Sequence, residues 1–325
     1  MSAHKALVTA PFRGEGLETL RGLAEVVLDP WIDQEPLRIY KAKQLAERIA
    51  AEGADILVVE SDSVKGPVLD QPLIAIGSCR GDPNNVDVEA ATAKGIPVLR
   101  APGRNADAVA EMTIALLMAV NRGIVQGDRD VRENQTYRNG TIPYQRYRAW
   151  QLAGRTAGIV GLGAVGRATK WRLEGLGMTV IAHDPYNPDA THALDALLAE
   201  SDVVSMHAMV TPETTGMLGA EQFARMKEGA IFVNSARAIL HDTDALVVAL
   251  RSGHLGGAGL DHFIGEHLEP DHPLCSMPNV VLTPHIGGAT YDTETNHSKL
   301  IADGLATLLN GGKPDNIVNP EVLNA

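Results

Sequence analysis

Short apolar runs recur in the first hundred residues, at 6–10, 25–28, 55–59, 73–77 and 97–99. Between them, residues 16–23, 37–51 and 86–94 have helix-like composition. Strands that are apolar throughout and alternate with helices predict a parallel sheet covered on both faces. The pattern then changes. Residues 107–120 are apolar almost all round, and a helix without a polar face must be buried, either between domains or in a subunit interface. Residues 127–150 are polar, irregular and rich in Arg and Tyr, which predicts loop or loosely packed helix. A second alternating series starts at Arg155, with strands expected at 157–160, 179–183, 203–207, 231–234, 257–261 and 280–283. Helices are expected at 165–176, 193–200, 220–226 and 243–251, and a last one over 293–309. Six strands in one α/β series suffice for a doubly wound nucleotide fold.

Composition narrows the function. A chain of 325 residues suggests two domains, and 45% apolar with 21% charged residues can fill real cores. Lys plus Arg is 28 and Asp plus Glu is 40, a net charge of −12. That balance opposes nonspecific nucleic-acid binding, and 4% aromatic residues offer few base-stacking platforms. Cys79 and Cys275 lie in no CxxC pair and read as free thiols of a reducing compartment. The start shows no signal-like pattern, and the apolar stretch 112–120 is too short to span a bilayer. A soluble cytoplasmic protein without membrane or nucleic-acid partners is expected.

One motif carries cofactor chemistry. Gly161-Leu-Gly163-Ala-Val-Gly166 follows an expected strand and opens a helix. Gly161 would make the tight turn, Gly163 would let backbone approach a pyrophosphate, and Gly166 would allow close helix packing. The helix N-terminus favours an anion. Asp184 ends the next strand, 184 − 166 = 18 residues on. A carboxylate there accepts ribose hydroxyls and repels a 2′-phosphate, so NAD is expected rather than NADP.

Three polar groups fall at or shortly after the carboxyl ends of later strands, where open α/β sheets build sites. Arg237 follows 231–234, Glu266 lies five residues after Asp261, and His285 follows 280–283. The guanidinium suits a planar carboxylate or a polarised carbonyl. The imidazole suits the proton that accompanies a hydride, and a carboxylate facing it suits its charged form. The set fits hydride chemistry on a 2-oxo or 2-hydroxy acid.

These pieces resemble the D-isomer-specific 2-hydroxyacid dehydrogenases, among them the D-3-phosphoglycerate dehydrogenase branch. The match also includes Asn85 to Gly95, Ser201 to His207, Thr211 to Thr214, Phe232 to Arg237, Gly257 to Asp261, Val281 to Gly288 and Asn316 to Pro320. The resemblance implies a Rossmann-type doubly wound domain, 103–288, inserted into a flavodoxin-like substrate domain formed by 1–102 and 289–325. It implies an active site in the cleft between them and a homodimer, with the apolar helix lining the interface. It implies catalytic roles for Arg237, Glu266 and His285. Cofactor contacts are implied for Gly161, Gly163, Ala164, Val165, Gly166, Asp184, His207, Ala236, Arg237, Asp261, His285 and Gly288. Gly81 and Asp82 would offer backbone N–H groups to the substrate carboxylate, with Arg80 as a second anion contact.

The departures from the family pattern are informative. Ala238 replaces a usual Gly, His262 an apolar residue and His267 a usual Pro. The surplus of His residues shows no HExxH-like spacing, and the chemistry requires no metal. Where the phosphoglycerate branch carries a basic segment, this chain has Glu60-Ser-Asp-Ser63. Glu60 and Asp62 would repel a phosphate, unless Arg13 compensates, so an unphosphorylated hydroxy acid is expected. Two alternatives are a phosphoglycerate dehydrogenase and an NAD-sensing, corepressor-like regulator on the same fold.

Overall fold

The computed structural model describes residues 4–324, and its chain forms two compact units. One combines the residues up to Asn105 with those from Thr290 onward, and the other is Ala106–Ala289. The units part at 105/106 and 289/290, against the 102/103 and 288/289 read from sequence.

The split unit contains β1 (Lys5–Val8), α1 (Gly14–Leu23), β2 (Glu25–Leu28), α2 (Ala42–Glu52), β3 (Ile56–Val59), β4 (Ala75–Ser78), α3 (Val88–Ala93) and β5 (Val98–Leu99). Its parallel sheet runs β2-β1-β3-β4-β5, the flavodoxin-like order. The inner strands β3 and β4 are buried along their whole length, as strands covered on both faces must be. Leu45, Ile49, Leu57 and Ile76 form the core on one face. The other face is closed from the far end of the chain, by Ile301 and Leu305 of α12 (Tyr291–Leu309) against Leu20, Val8 and Val58. The two helices on that side meet backbone to backbone: a Cβ on Gly16 would lie 2.2 Å from the carbonyl carbon of Ser298. The expected helix 37–51 begins only at Ala42, because Tyr40 is drawn out of helical geometry by its bonds to Asp62 and Asp29.

The central unit opens with α4 (Ala106–Asn121), α5 (Ile124–Arg132) and α6 (Pro143–Arg146). Then follow β6 (Thr156–Val160), α7 (Ala164–Gly175), β7 (Thr179–His183), α8 (Leu194–Glu200), β8 (Val203–Met206), α9 (Ala220–Arg225) and β9 (Ala230–Asn234). It closes with α10 (Thr243–Arg251), β10 (Leu255–Leu260), α11 (Pro273–Ser276) and β11 (Val280–Leu282). The parallel sheet runs β11-β10-β9-β8-β6-β7. The doubly wound order 3-2-1-4-5-6 would place a further strand outside β7. Here the chain after Asp184 turns instead, through Pro185, Asn187 and Pro188. Neighbours β6 and β8 lead to opposite edges, so the topological switch point lies at their carboxyl ends.

Leu116 and Leu117 of α4 and Leu173 of α7 pack with Ile159 and Val233 on one face. Leu197, Phe223, Leu246 and Leu250 cover the other with Phe232. The stretch expected to be irregular has a hub. Asp130, 3% exposed, accepts hydrogen bonds from Arg146 (3.0 Å) and the Tyr147 hydroxyl (2.6 Å) and pairs with Arg138 (3.2 Å). Ile124, Val125, Val131, Ile142 and Trp150 of this region are exposed. No single helix among the described residues is long and apolar enough to cross a membrane; α4 and α5 pass on length and composition only as a pair bent by 62°.

Candidate active site

At the switch point, the three glycines have different surroundings. Gly161 adopts φ +93°, and a Cβ there would sit 2.5 Å from the amide nitrogen of Ala208. A Cβ on Gly166 would lie 2.1 Å from the Gly161 carbonyl oxygen, so α7 can start where it does only with glycine at this position. Gly163 faces open space. The first intrahelical bond runs from the Arg167 N–H to the Gly163 carbonyl, leaving the N–H groups of Ala164, Val165 and Gly166 without helical partners. Asp184 accepts the Leu162 N–H (2.8 Å) and the Tyr186 N–H (3.0 Å), and each oxygen keeps a lone pair. The Leu162 carbonyl accepts from Arg167 (2.9 Å) and Asn187 (2.8 Å).

His207 follows β8, and its Nε2 meets the Ser205 hydroxyl at 2.8 Å. Its Nδ1 is shut off from solvent without a protein partner, and burial lowers the imidazole to about 4. An open glycine at a helix N-terminus, a strand-end carboxylate and a buried polar atom awaiting a partner fit a bound dinucleotide.

Arg237, Glu266 and His285 are all exposed at the carboxyl side of the same sheet. Asn234 shapes the turn that carries Arg237: its side chain accepts the Ala236 N–H (2.9 Å) and donates to the Arg237 carbonyl (2.9 Å). The Arg237 guanidinium bonds the Ala236 carbonyl (2.8 Å) and has no carboxylate partner among the described residues. His285 Nδ1 lies 2.9 and 3.1 Å from the two oxygens of Glu266. Both residues sit on left-handed backbone, Glu266 at φ +63° and His285 at φ +55°. Such conformations disfavour side chains and persist where surrounding structure imposes them.

Asp261 supplies part of that imposition. Implied at the cofactor by the resemblance, it is 1% exposed, and its oxygens bind the loop that carries His285. They accept the Thr283 hydroxyl (2.6 Å) and the N–H groups of Ile286 (3.0 Å) and Gly287 (2.7 Å). Gly288, half-buried, follows directly.

His262, whose role the sequence left open, joins the group. Its Nδ1 accepts the Ala238 N–H at 3.2 Å, and its Nε2 lies 3.4 Å from Glu266. Its ring meets that of His285 edge to face, centroids 4.7 Å apart. Burial pushes this imidazole below its usual range, against the pull of Glu266. His262, Glu266 and His285 bring ligand-type atoms within 4.8 Å of one another, as a cation would require. However, an Nδ1 that accepts a backbone N–H leaves the proton on Nε2, so the nitrogen facing Glu266 has no lone pair for a metal. His267 bonds the Gly265 carbonyl (2.8 Å) and pairs with Glu269 (3.5 Å).

In the split unit, Gly81 and Asp82 lie in the loop between β4 and α3. Arg80, implied as a second anion contact, donates to the Glu60 carbonyl (2.7 Å) and to Asn84 (2.6 Å). Asp62 cannot repel a phosphate as expected. It is 0% exposed, accepts the Thr9 hydroxyl and the Tyr40 N–H, each at 2.6 Å, and burial raises its carboxyl. Glu60 is neutralised by Arg104 at 2.5 Å, and Arg13 pairs with Glu294 at 2.5 Å and covers the Tyr291 ring. Cys79 is buried, with its thiol pushed well up.

The fold and this constellation define an oxidoreductase that binds NAD(P) and acts on a CH–OH group. Residues 114–287 match the family described as D-isomer specific 2-hydroxyacid dehydrogenase, NAD binding domain. A glyoxylate reductase of Thermofilum pendens is 36% identical over 99% of this chain and 96% of its own length. A D-3-phosphoglycerate dehydrogenase of Archaeoglobus fulgidus is 35% identical over 97% of this chain but only 59% of its own. The apo-structure of D-lactate dehydrogenase from Escherichia coli superposes with a TM-score of 0.77 at 27% identity, covering 97% of this chain and 99% of that one. The chain belongs to the D-isomer specific 2-hydroxyacid dehydrogenase family. It is an NAD(P)-dependent 2-hydroxyacid dehydrogenase, or 2-oxoacid reductase in the reverse direction.

Proposed function

We propose that this enzyme interconverts a small, unphosphorylated 2-oxo acid and its D-2-hydroxy acid with NAD as cofactor. The observation that carries the reading is the His285–Glu266 pair, held at 2.9 Å on strained backbone. When bound, the nicotinamide group supplies or accepts the hydride exchanged with substrate C2. His285 turns Nδ1 to Glu266, which leaves Nε2 to give or take the proton on the substrate oxygen. Arg237 holds the carboxylate as a two-pronged donor. Gly161, Gly163 and Gly166 seat the pyrophosphate, and Asp184 favours NAD by repelling a 2′-phosphate.

The preference for an unphosphorylated acid rests on the engaged state of Arg13 and Arg104, each already paired with a carboxylate. It also rests on the full-length similarity to a glyoxylate reductase. The exposed apolar side chains of 124–150 support a second copy of the chain as partner.

The test is NADH consumption with glyoxylate, hydroxypyruvate, pyruvate and phosphohydroxypyruvate, repeated with NADPH. Unphosphorylated acids and NADH should be preferred. His285→Ala should lower kcat by about 10²- to 10⁴-fold with NADH binding retained. Activity confined to the phosphorylated acid, a preference for NADPH, or turnover surviving in His285→Ala would each overturn the corresponding part.

A further inference from the structure

We infer that His262 is a positioning residue for the reaction, a bracket that ties Glu266 to the backbone beside Arg237 and so fixes the acid/base pair. The inference rests on the roles proposed for Glu266 and His285. It starts from a mechanical problem. The Glu266 side chain is 58% exposed at the end of a short turn, Ile264–Glu266, whose Gly265 is itself non-helical. An exposed carboxylate on such a turn has several rotamers, and only some of them reach His285.

His262 removes that freedom from the other side. Its side chain is 15% exposed, the only one of the three that is not well exposed. The Ala238 N–H occupies Nδ1 at 3.2 Å, so the ring carries its proton on Nε2, which lies 3.4 Å from Glu266 Oε1. The edge-to-face contact with His285 sets the spacing of the two rings. One side chain thereby connects the residue after Arg237, the carboxylate and the imidazole. The other charged groups facing it are Arg237 and Asp261. Asp261 is already committed to the His285 loop.

Packing does not enclose this ring on every side. His262 borders a cavity that it lines together with His241, Leu260, Phe263, Leu268 and Leu274. Its hydrogen bond from Ala238 and its 3.4 Å contact with Glu266 are therefore the restraint, and the polar edge of the ring should matter more than its volume.

Two substitutions separate these contributions. His262→Phe keeps a ring of similar size and loses both the Ala238 hydrogen bond and the contact with the Glu266 carboxylate. His262→Gln keeps an N–H donor near the place of Nε2. In His262→Phe, kcat should fall about tenfold to a hundredfold, with KM for the 2-oxo acid and Kd for NADH within about twofold of wild type. His262→Gln should recover most of the lost kcat. Thermal melting would establish that both variants fold, and His262→Leu offers the same comparison if the larger ring is not accommodated. Wild-type kcat in His262→Phe, while His285→Ala is inactive, would overturn the inference and leave the acid/base assignment standing. Equal losses in the Phe and Gln variants, or losses shared between kcat and KM, would assign His262 to packing and also overturn it. Full turnover in His285→Ala would overturn the assignment beneath it.

Discussion

His207, His241 and His297 are held in the fold as neutral groups, each lowered to about 4 by burial. Their partners suit the neutral form. His297 bonds the Pro11 carbonyl through Nε2 (2.5 Å) and Arg104 through Nδ1 (2.7 Å), while His241 Nδ1 accepts from the Asn234 amide (3.0 Å). An unfolded histidine titrates near 6.5. Between about pH 6.5 and 4 the unfolded chain therefore binds protons that the folded chain refuses, and stability falls as pH falls. Three such groups give at most about 4 kcal/mol per pH unit in that window. Asp62, raised by burial, contributes the opposite slope but is one group against three. Urea unfolding at pH 7, 6 and 5 should show a midpoint that drops steadily. A flat profile, or one that rises toward acid, would show that these imidazoles are solvated.

At the scale of the element, the turn from β6 into α7 separates what the fold needs from what the cofactor needs. Gly166→Ala would drive a methyl group into the Gly161 carbonyl and should cost about 1–3 kcal/mol. Gly163→Ala meets nothing within 4 Å and lies at φ −72°, so it should melt like wild type and still bind NADH more weakly. Equal melting losses in the two variants would contradict this division. The turn was legible in sequence because glycine spacing and a strand–helix junction express the same geometry. The strands were legible for a similar reason: burial on both faces leaves an unbroken apolar run. Asp62 was misread because the polar residues just past a strand look alike in sequence, whether they turn to solvent or, as here, inward beneath Thr9 and Tyr40. The His262 bracket left no sequence signal, because it depends on an Ala238 N–H 24 residues away and on which ring nitrogen carries the proton.

At the scale of the whole molecule, the charge of −12 means that an anionic substrate approaches against the overall field. Capture must come from local groups, and in the proposed reading Arg237 is first among them. The tail secures the split unit. Asn319, 1% exposed, accepts the Val98 N–H (2.8 Å) and donates to the Ile96 carbonyl (2.9 Å) and the Thr92 hydroxyl (2.9 Å). Asn319→Ala would leave buried groups without partners and should cost the split unit about 2–4 kcal/mol. Hydrogen exchange should accelerate at Val98 and leave β6 and β8 amides unchanged; a uniform change would mean the units unfold as one. The closure by α12 also has a consequence for biosynthesis. One face of the first sheet, with Val8, Val58 and Leu20, is completed only by Ile301 and Leu305. A ribosome adding about 5–20 residues per second reaches them roughly 10–40 s after finishing β5. During that interval the central unit can fold outright while the segment made first waits with an apolar face uncovered. The nascent chain is thus most exposed to chaperones, and to aggregation, at its oldest end.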